Sequence, residues 1–387
     1  MRTTILKVFR LVATFLGVWF LLAPLLQASE PSFIRESIRA RGMGNAFTAA
    51  ANYEMLLFYN PAALRSVNYN IYEAVGFNFT TNESTINLAK SSSSNATLGD
   101  LAGKKIYNEA NLGLLSHVNS RFGWSFFSKG LLDLQIKNPV FPYLETKAYM
   151  QSGLVGGMAW SFLDYQLDVG LGAKIVRRAG IDKILHIVDE EVLEVIEKNR
   201  TTKFRKKYAD CGGNFNSFSD SLEILTCGKA AFAPDAGVIY HFDSFHNMEP
   251  KVALSLQNIG GLDFRGAGKV PMTLNVGASS ESELNGFDFI LAADYRDMTN
   301  AQKLVSKGSM LTQRNFKLGL EIGWNKLFNG HHLFSLRAGR NGPWNSIGWS
   351  MNIFGFKIDF AKYSQEIGGF SGALEDKRTS FQLSLIF

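Results

Sequence analysis

The stretch "FKLGLEIGW", Phe316 to Trp324, decides the fold because two kinds of residue alternate along it without a break. One set is apolar, and the other consists of Lys317, Gly319, Glu321 and Gly323. Successive side chains of a β-strand point to opposite faces of a sheet, so a period of two predicts a strand. This strand has one apolar face and one face of small and charged residues.

The same alternation recurs along the chain, for example in "QLDVGLGAKIV" (166–176), "FSLRAGR" (334–340) and "FGFKIDF" (354–360). It predicts about fourteen strands, most of them close to the nine to eleven residues that cross a bilayer at a tilt. Strands of soluble sheets are usually five or six residues long. The predicted strands lie near 70–80, 108–118, 122–130, 146–162, 166–178, 230–241, 249–258, 271–280, 286–297, 314–324, 332–340, 345–353, 354–363 and 377–387.

The connections between these strands alternate in length. Short turns such as "NSR", "LDY" and "SELNG" interleave with longer segments, of which 179–229 is the longest. The exception is "NGPW" at 341–344, a short connection where the alternation calls for a long one. Short periplasmic turns and long extracellular loops are typical of outer-membrane barrels, whereas a soluble sandwich is the alternative for a two-faced strand. We therefore predict an all-β fold, a transmembrane antiparallel β-barrel of about 14 strands over 69–387, in the cell outer membrane of a Gram-negative type.

The start of the chain has the pattern of an export signal. Arg2, Lys7 and Arg10 precede an apolar run, and Leu26-Gln27-Ala28 is a cleavage sequence of the expected kind, so 1–28 is predicted to be a signal peptide. The alternative is an uncleaved anchor. No later apolar run is long enough for a spanning helix.

Composition excludes some functions. The formal net charge of +6 falls to about +3 without the three basic leader residues, so nucleic acid is not an expected partner. The only cysteines, Cys211 and Cys227, lie in a polar stretch of an exported chain, which favours a disulfide over two free thiols. The six histidines show no metal-ligand spacing, and none has a nucleophile to pair with, so neither a metal site nor an enzyme is predicted.

Before the first strand lies a compact segment, "RGMGNAFTAAANYEMLLFYNPAAL" (41–64). A dinucleotide-binding loop would need Gly or Ala where Phe47 stands, and a strand before it, so that interpretation fails. Asn60-Pro61 instead has the pattern of a helix N-cap followed by proline. A non-strand segment at this point predicts an N-terminal hatch, or plug, over residues 29–68, inside the barrel.

Residues 40–64 resemble the N-terminal region of the FadL-type outer-membrane transporters of hydrophobic compounds and of their relatives, the PorV-type secretion barrels. The resemblance implies a hatch motif of Gly42, Gly44, Asn60, Pro61 and Ala62 in a fourteen-stranded barrel. It also implies passive transport of long-chain fatty acids or other hydrophobic small molecules, without a cofactor. The alternatives are a barrel of this type that serves a secretion or cell-surface complex, and a surface adhesin.

The inward-facing set of the predicted strands carries charges of both signs. Two interpretations stay open: the charges pair with one another and with the hatch, or some of them contact substrate. Arg337 and Lys357 are the candidates for binding a fatty-acid carboxylate, because an anion prefers a cation. The polar network of the lumen is predicted to contain Asp168, Lys174, Lys317, Glu321 and Asp359.

The remaining predicted partners follow from the two ends of the barrel. The loop 179–229 contains "DKILHIVDEEVLEVIEKN", which has apolar residues at helical spacing. It is predicted to be a helical lid, a surface for a protein partner, or a cap on the mouth. The terminal Phe387 resembles the signal by which barrel-assembly machinery recognises its clients. The lipid bilayer and lipopolysaccharide are the expected surroundings.

Overall fold

The structure is a computed structural model, and it describes residues 33–91, 104–137, 143–186, 228–245, 247–301, 313–327, 330–368 and 371–387. Several predictions fall outside these residues: the signal peptide, the helical part of the long loop beyond His186, and the cysteine pair Cys211 and Cys227. They stay predictions.

Fourteen antiparallel strands of the described chain close into one barrel, in the order β1-β16-β15-β14-β13-β12-β11-β10-β7-β6-β5-β4-β3-β2. Strands β8 and β9 form a separate two-stranded sheet. The bounds of β1 to β9 are Ile71–Asn82, Lys105–Val118, Phe122–Lys137, Tyr143–Phe162, Leu167–His186, Lys229–His241, Met248–Gln257, Leu262–Asp263 and Lys269–Val270. Those of β10 to β16 are Thr273–Leu284, Phe287–Tyr295, Phe316–Lys326, His332–Asn341, Trp344–Ile353, Phe356–Glu366 and Glu375–Ile386.

Two α-helices and three 3-10 helices lie wholly within the described residues, and residues 313–315 are also helical. Helix α1 is Ile38–Gly42 and helix α2 is Glu83–Ser91. The 3-10 helices are Tyr53–Phe58, Pro61–Ser66 and Arg265–Ala267. None of the helices in the described ranges is both long and apolar enough to cross a membrane.

The barrel closes between its first and last strands, where Phe79 lies opposite Phe381 and Phe77 lies opposite Leu383. The backbones of Tyr72 and Phe387 exchange two hydrogen bonds of 2.8 and 2.9 Å. Pairing of this kind satisfies the backbone groups that an open sheet edge would expose to lipid.

The two faces of the wall differ as the alternation predicts. Large apolar side chains on the outside are exposed, among them Phe77, Phe126, Leu171, Leu254, Leu318, Leu336, Ile347 and Leu383. The intervening charged and small residues face inward and are buried. A closed wall with an apolar outer surface is suited to lipid, so the chain is a Gram-negative-type outer-membrane β-barrel, as predicted.

Two boundary predictions are wrong, and the first is the strand predicted over 122–130, which continues to Lys137. The loop predicted to begin at residue 179 begins later, because β5 pairs with β4 along its whole length, up to the pair Tyr143 and His186. Residues 182–186, predicted to be helical, therefore lie in a strand. Over only five residues, apolar spacing does not distinguish a helix from a strand. Backbone pairing with β4 makes this stretch a strand.

Candidate functional site

The N-terminal segment, residues 33–67, lies in the lumen. Helix α1 contacts β13 to β16, whereas the 3-10 helix Pro61–Ser66 contacts β4 to β6 on another side of the barrel. The 3-10 helix Tyr53–Phe58 contacts β1 to β4. Because the segment contacts inward-facing residues from several sectors of a closed wall, it is enclosed by the barrel.

Local sequence shapes this segment. The side chain of Ser37 accepts a hydrogen bond from Ala40 at the start of α1. Asn60 caps the second 3-10 helix by accepting from the Ala62 amide at 3.1 Å, with Pro61 in the first turn. Gly44 has a φ of 63° at the end of α1, a conformation that glycine adopts without strain. The residues of the predicted hatch motif therefore form the two turns that fold the segment.

Glycines of the wall let the backbone of the segment come close. A Cβ atom on Gly170 of β5 would lie 2.6 Å from the Ala62 Cα atom, and one on Gly319 of β12 would lie 2.6 Å from the Met43 carbonyl oxygen. Gly339 of β13 likewise faces the backbone of Met43 and Gly44. The inward glycines of the alternating pattern are thus the surface on which the segment packs.

Buried ion pairs tie the segment to β12, β13 and β15. The Arg39 Nε atom lies 2.6 Å from the Glu321 carboxylate, which also receives Arg337 at 3.0 Å. Asp359 contacts Arg337 at 3.1 Å and Lys357 at 3.3 Å. The two predicted substrate-binding cations therefore lie in a network of compensated charges, and their contact with substrate stays a prediction.

A second buried ion pair joins α1 to the first strands of the barrel, β1 and β2. Arg41 contacts Glu109 of β2 at 2.8 Å, and its Nη1 atom donates to Thr80 of β1 at 2.7 Å. Lys129 of β3 contacts the other oxygen of Glu109 at 3.2 Å. Buried charges are stable only when they are paired. Ion pairs therefore hold α1 to β12 through Arg39 and to β2 through Arg41.

The other predicted lumen residues are placed as follows. Asp168 accepts from His241 at 2.8 Å and from Ser161. Lys174 contacts Asp235 at 3.0 Å. Asp168 and Lys174 are buried, Lys317 is half-buried, and none of the three is ion-paired with the Arg337 network in the described residues.

Above the segment, at the long-loop end, lies a cationic pocket. It is a cavity of about 30 Å³ with three cations, Arg296, Arg314 and Lys317, and two acids, Asp297 and Glu366, in its lining. Phe33 and several amide side chains also line the cavity. Arg296 is 6% exposed, and its Nε atom has no hydrogen-bond partner in the described part of the chain. Its guanidinium group packs 4.5 Å from the Phe33 ring, and its nearest acid is Glu36 at 3.8 Å. The pocket has room for about two waters, or for a small anionic group.

Sequence reasoning found Lys317 but missed Arg296 and Arg314. Both flank strand ends, where the alternation stops and boundaries are least certain. A signal was present, because Arg296 continues the inward set of Ile290, Ala292 and Asp294.

Below the segment, at the short-turn end, lies a second cavity of about 820 Å³. Asn52, Tyr53 and Val67 of the segment line its inner end, and His241 and His332 line its wall. His332 is bound to Asp288 at 2.6 Å, and no cluster of ligand side chains suited to a metal ion occurs among the described residues. The N-terminal segment therefore separates a cationic pocket from a polar vestibule.

A comparison with solved structures finds matches to the fold of this chain. The toluene transporter TodX of Pseudomonas putida matches at 12% identity and a TM-score of 0.46, over 94% of this chain and 99% of that one. The chain is similar to FadL-type barrels. A FadL homologue of Pseudomonas aeruginosa matches at 13% identity and a TM-score of 0.45, over 94% and 99% of the two chains. The monoaromatic hydrocarbon channel CymD matches at 11% identity and a TM-score of 0.43, over 94% and 98%.

No family model matches the sequence, and no curated protein matches it.

Proposed function

We propose that this barrel is a passive outer-membrane transporter for hydrophobic molecules that carry an anionic head group, with long-chain fatty acids as the expected class. The N-terminal segment would be its hatch. The observation that carries the proposal is the position of this segment between the cationic pocket and the polar vestibule.

The pocket suits a carboxylate for two reasons. Arg296 is buried with an unused donor, and an incoming carboxylate would supply the charge-assisted hydrogen bond that this donor lacks. Removal of a buried charge from water is costly without such a partner. Phe33 beside the guanidinium offers an apolar contact to the first carbons of an acyl chain.

Passage then requires movement of the segment. The pocket of about 30 Å³ holds a head group but not an acyl chain. A bound chain would have to displace part of the N-terminal segment, residues 33–67, from its contacts with the wall. Binding energy released at Arg296 is available to shift that equilibrium, since a ligand favours the state that it binds better.

The test is uptake by cells that lack their own transporter. A fluorescent long-chain fatty acid and its neutral methyl ester would be compared in Arg296→Gln and in a matched control, Arg265→Gln, which changes an exposed arginine of the 258–272 loop. Loss of a hydrogen bond to a charged group predicts an increase of about 10-fold to 150-fold in the KM for the acid. The KM for the ester and the control variant should not change.

Equal effects on acid and ester would contradict the assignment of the pocket to the head group. Absence of saturable uptake by surface-inserted wild-type protein would contradict transport itself and favour the secretion or cell-surface complex.

A further inference from the structure

Three basic side chains stand together on the outer surface of the barrel at its long-loop end. They are Arg340 of β13, Lys362 of β15 and Lys377 of β16, and all three are exposed. We propose that this outer basic patch (Arg340, Lys362 and Lys377) binds the phosphate groups of an anionic glycolipid in the outer leaflet. The site lies outside the wall and is independent of the proposed transport.

The alternation of each strand shows that the three side chains face lipid and not the lumen. Arg340 continues the exposed set of Leu336 and Ala338. Lys362 follows the outward-facing Phe360 on β15, and Lys377 belongs to the same face of β16 as Phe381. Each basic residue therefore stands at the upper end of an apolar row.

Strand register places the three residues within one outward position, about 7 Å, of one another along the strands. Lys362 lies opposite Ile347 of β14, and Arg340 lies opposite Asn345, one outward position higher. Lys377 lies opposite Ser364, again one outward position above Lys362. Three strand spacings separate Arg340 from Lys377, so the patch is about 15 Å wide. This width suits a lipid with two phosphates.

The charge of the patch is only partly compensated. Glu375 lies 3.8 Å from Lys377, and its other oxygen accepts from Ser364 at 2.7 Å. The Arg340 Nε atom donates to the Gly342 carbonyl oxygen at 3.1 Å. Within the described ranges no acidic side chain pairs with Arg340 or Lys362. The patch keeps a net positive charge toward the membrane.

The opposite ends of the same four strands provide an internal comparison. Their outward residues are Phe334, Ile353, Phe356 and Leu385, which carry no charge. Charged strand ends are therefore not a general feature of this sector. Lysine and arginine at the boundary of an apolar surface extend their charged ends to the level of lipid head groups, where each attracts an anionic surface by about fivefold in affinity.

The test measures binding of diphosphorylated lipid A to the purified full chain in detergent, by native mass spectrometry or thermophoresis. Dephosphorylated lipid A and inorganic phosphate are the comparison probes. The variant R340Q/K362Q/K377Q removes the patch. The control Arg121→Gln removes an exposed arginine from the β2–β3 turn at the other end of the barrel.

The wild type should bind the diphosphorylated lipid at least tenfold more tightly than the dephosphorylated one. The triple variant should lose on the order of 100-fold in affinity, and the control should lose none. Heat-dependent gel mobility reports whether each variant is folded, and the three single variants, each expected to lose about fivefold, replace the triple one if it is not.

Equal binding by the triple variant and the wild type would overturn the proposal, as would equal binding of the two lipids. Inorganic phosphate that binds as tightly as the lipid would assign the site to a soluble anion and overturn the lipid assignment.

Discussion

Substitution of Gly170 by alanine should loosen the N-terminal segment without damage to the barrel. The new Cβ atom would lie 2.6 Å from the Ala62 Cα atom, and the peptide between Pro61 and Ala62 would be closer still. Carbon atoms pack at about 3.5 to 4.0 Å, so one backbone must move by about 1 Å. Both backbones are buried, and neither contact is the flexible end of a side chain.

The expected cost follows from this overlap. Overpacking of a dense interior costs about 1 to 3 kcal/mol, and detachment of the segment relieves it. The population of the detached segment should therefore rise by about 5-fold to 150-fold. Exchange of the Ala62 and Ala63 amides, whose hydrogen bonds to Asn60 are 3.1 Å long, should accelerate by the same factor.

Hydrogen exchange followed by mass spectrometry measures this effect on the protein in micelles. Gly130→Ala is the matched control, because a Cβ atom on that strand glycine meets nothing within 4 Å. Unchanged exchange of 57–64 in Gly170→Ala would refute the close packing described here. The same acceleration in the control would refute its local origin.

Two further substitutions probe the segment itself. Asn60→Ala removes the cap on Ala62 and the 3.2 Å hydrogen bond from the Asn60 amide to the Thr48 carbonyl, so it should lower the free energy of unfolding by about 1 to 2 kcal/mol, measured as a shift in urea midpoint; an unchanged midpoint would speak against the cap. Arg41→Met leaves the buried Glu109 carboxylate with Lys129 as its remaining cation, and should cost about 3 kcal/mol, the lower end for a broken buried pair. Adding Glu109→Gln should restore part of that loss, and an additive loss in the double variant would contradict the pairing.

Much of the fold could be predicted because its decisive property is local. Along stretches such as Phe316–Lys326, apolar residues alternate with small and charged ones because one face contacts lipid and the other faces the lumen. Strand length distinguishes a membrane barrel from a soluble sheet. The end of β5 was mispredicted because the pairing of His186 with Tyr143 depends on a partner strand that the local pattern does not reveal.

The candidate site was less predictable for a similar reason. Arg337 and Arg296 are both inward-facing cations, and sequence alone does not show which has acids within reach. The register places Glu321 directly opposite Arg337, whereas Arg296 stands beyond the end of β11 with Glu36 at 3.8 Å. Whether an inward-facing arginine has a close acidic partner therefore depends on how the strands assemble into the barrel.

The N-terminal segment must move for a solute to pass, and a reversible crosslink between the segment and the wall tests this requirement most directly. The Pro61 Cβ atom lies 3.5 Å from the position of a Cβ atom on Gly172, within the range of disulfides. Pro61→Cys with Gly172→Cys, in a chain with Cys211→Ser and Cys227→Ser, would fix the segment to β5.

Uptake of the fluorescent fatty acid should stop in the oxidised double variant and return on reduction, while each single variant transports under both conditions. Equal uptake by the oxidised and reduced forms, with the crosslink verified by mass spectrometry, would contradict movement of the segment as a requirement for transport.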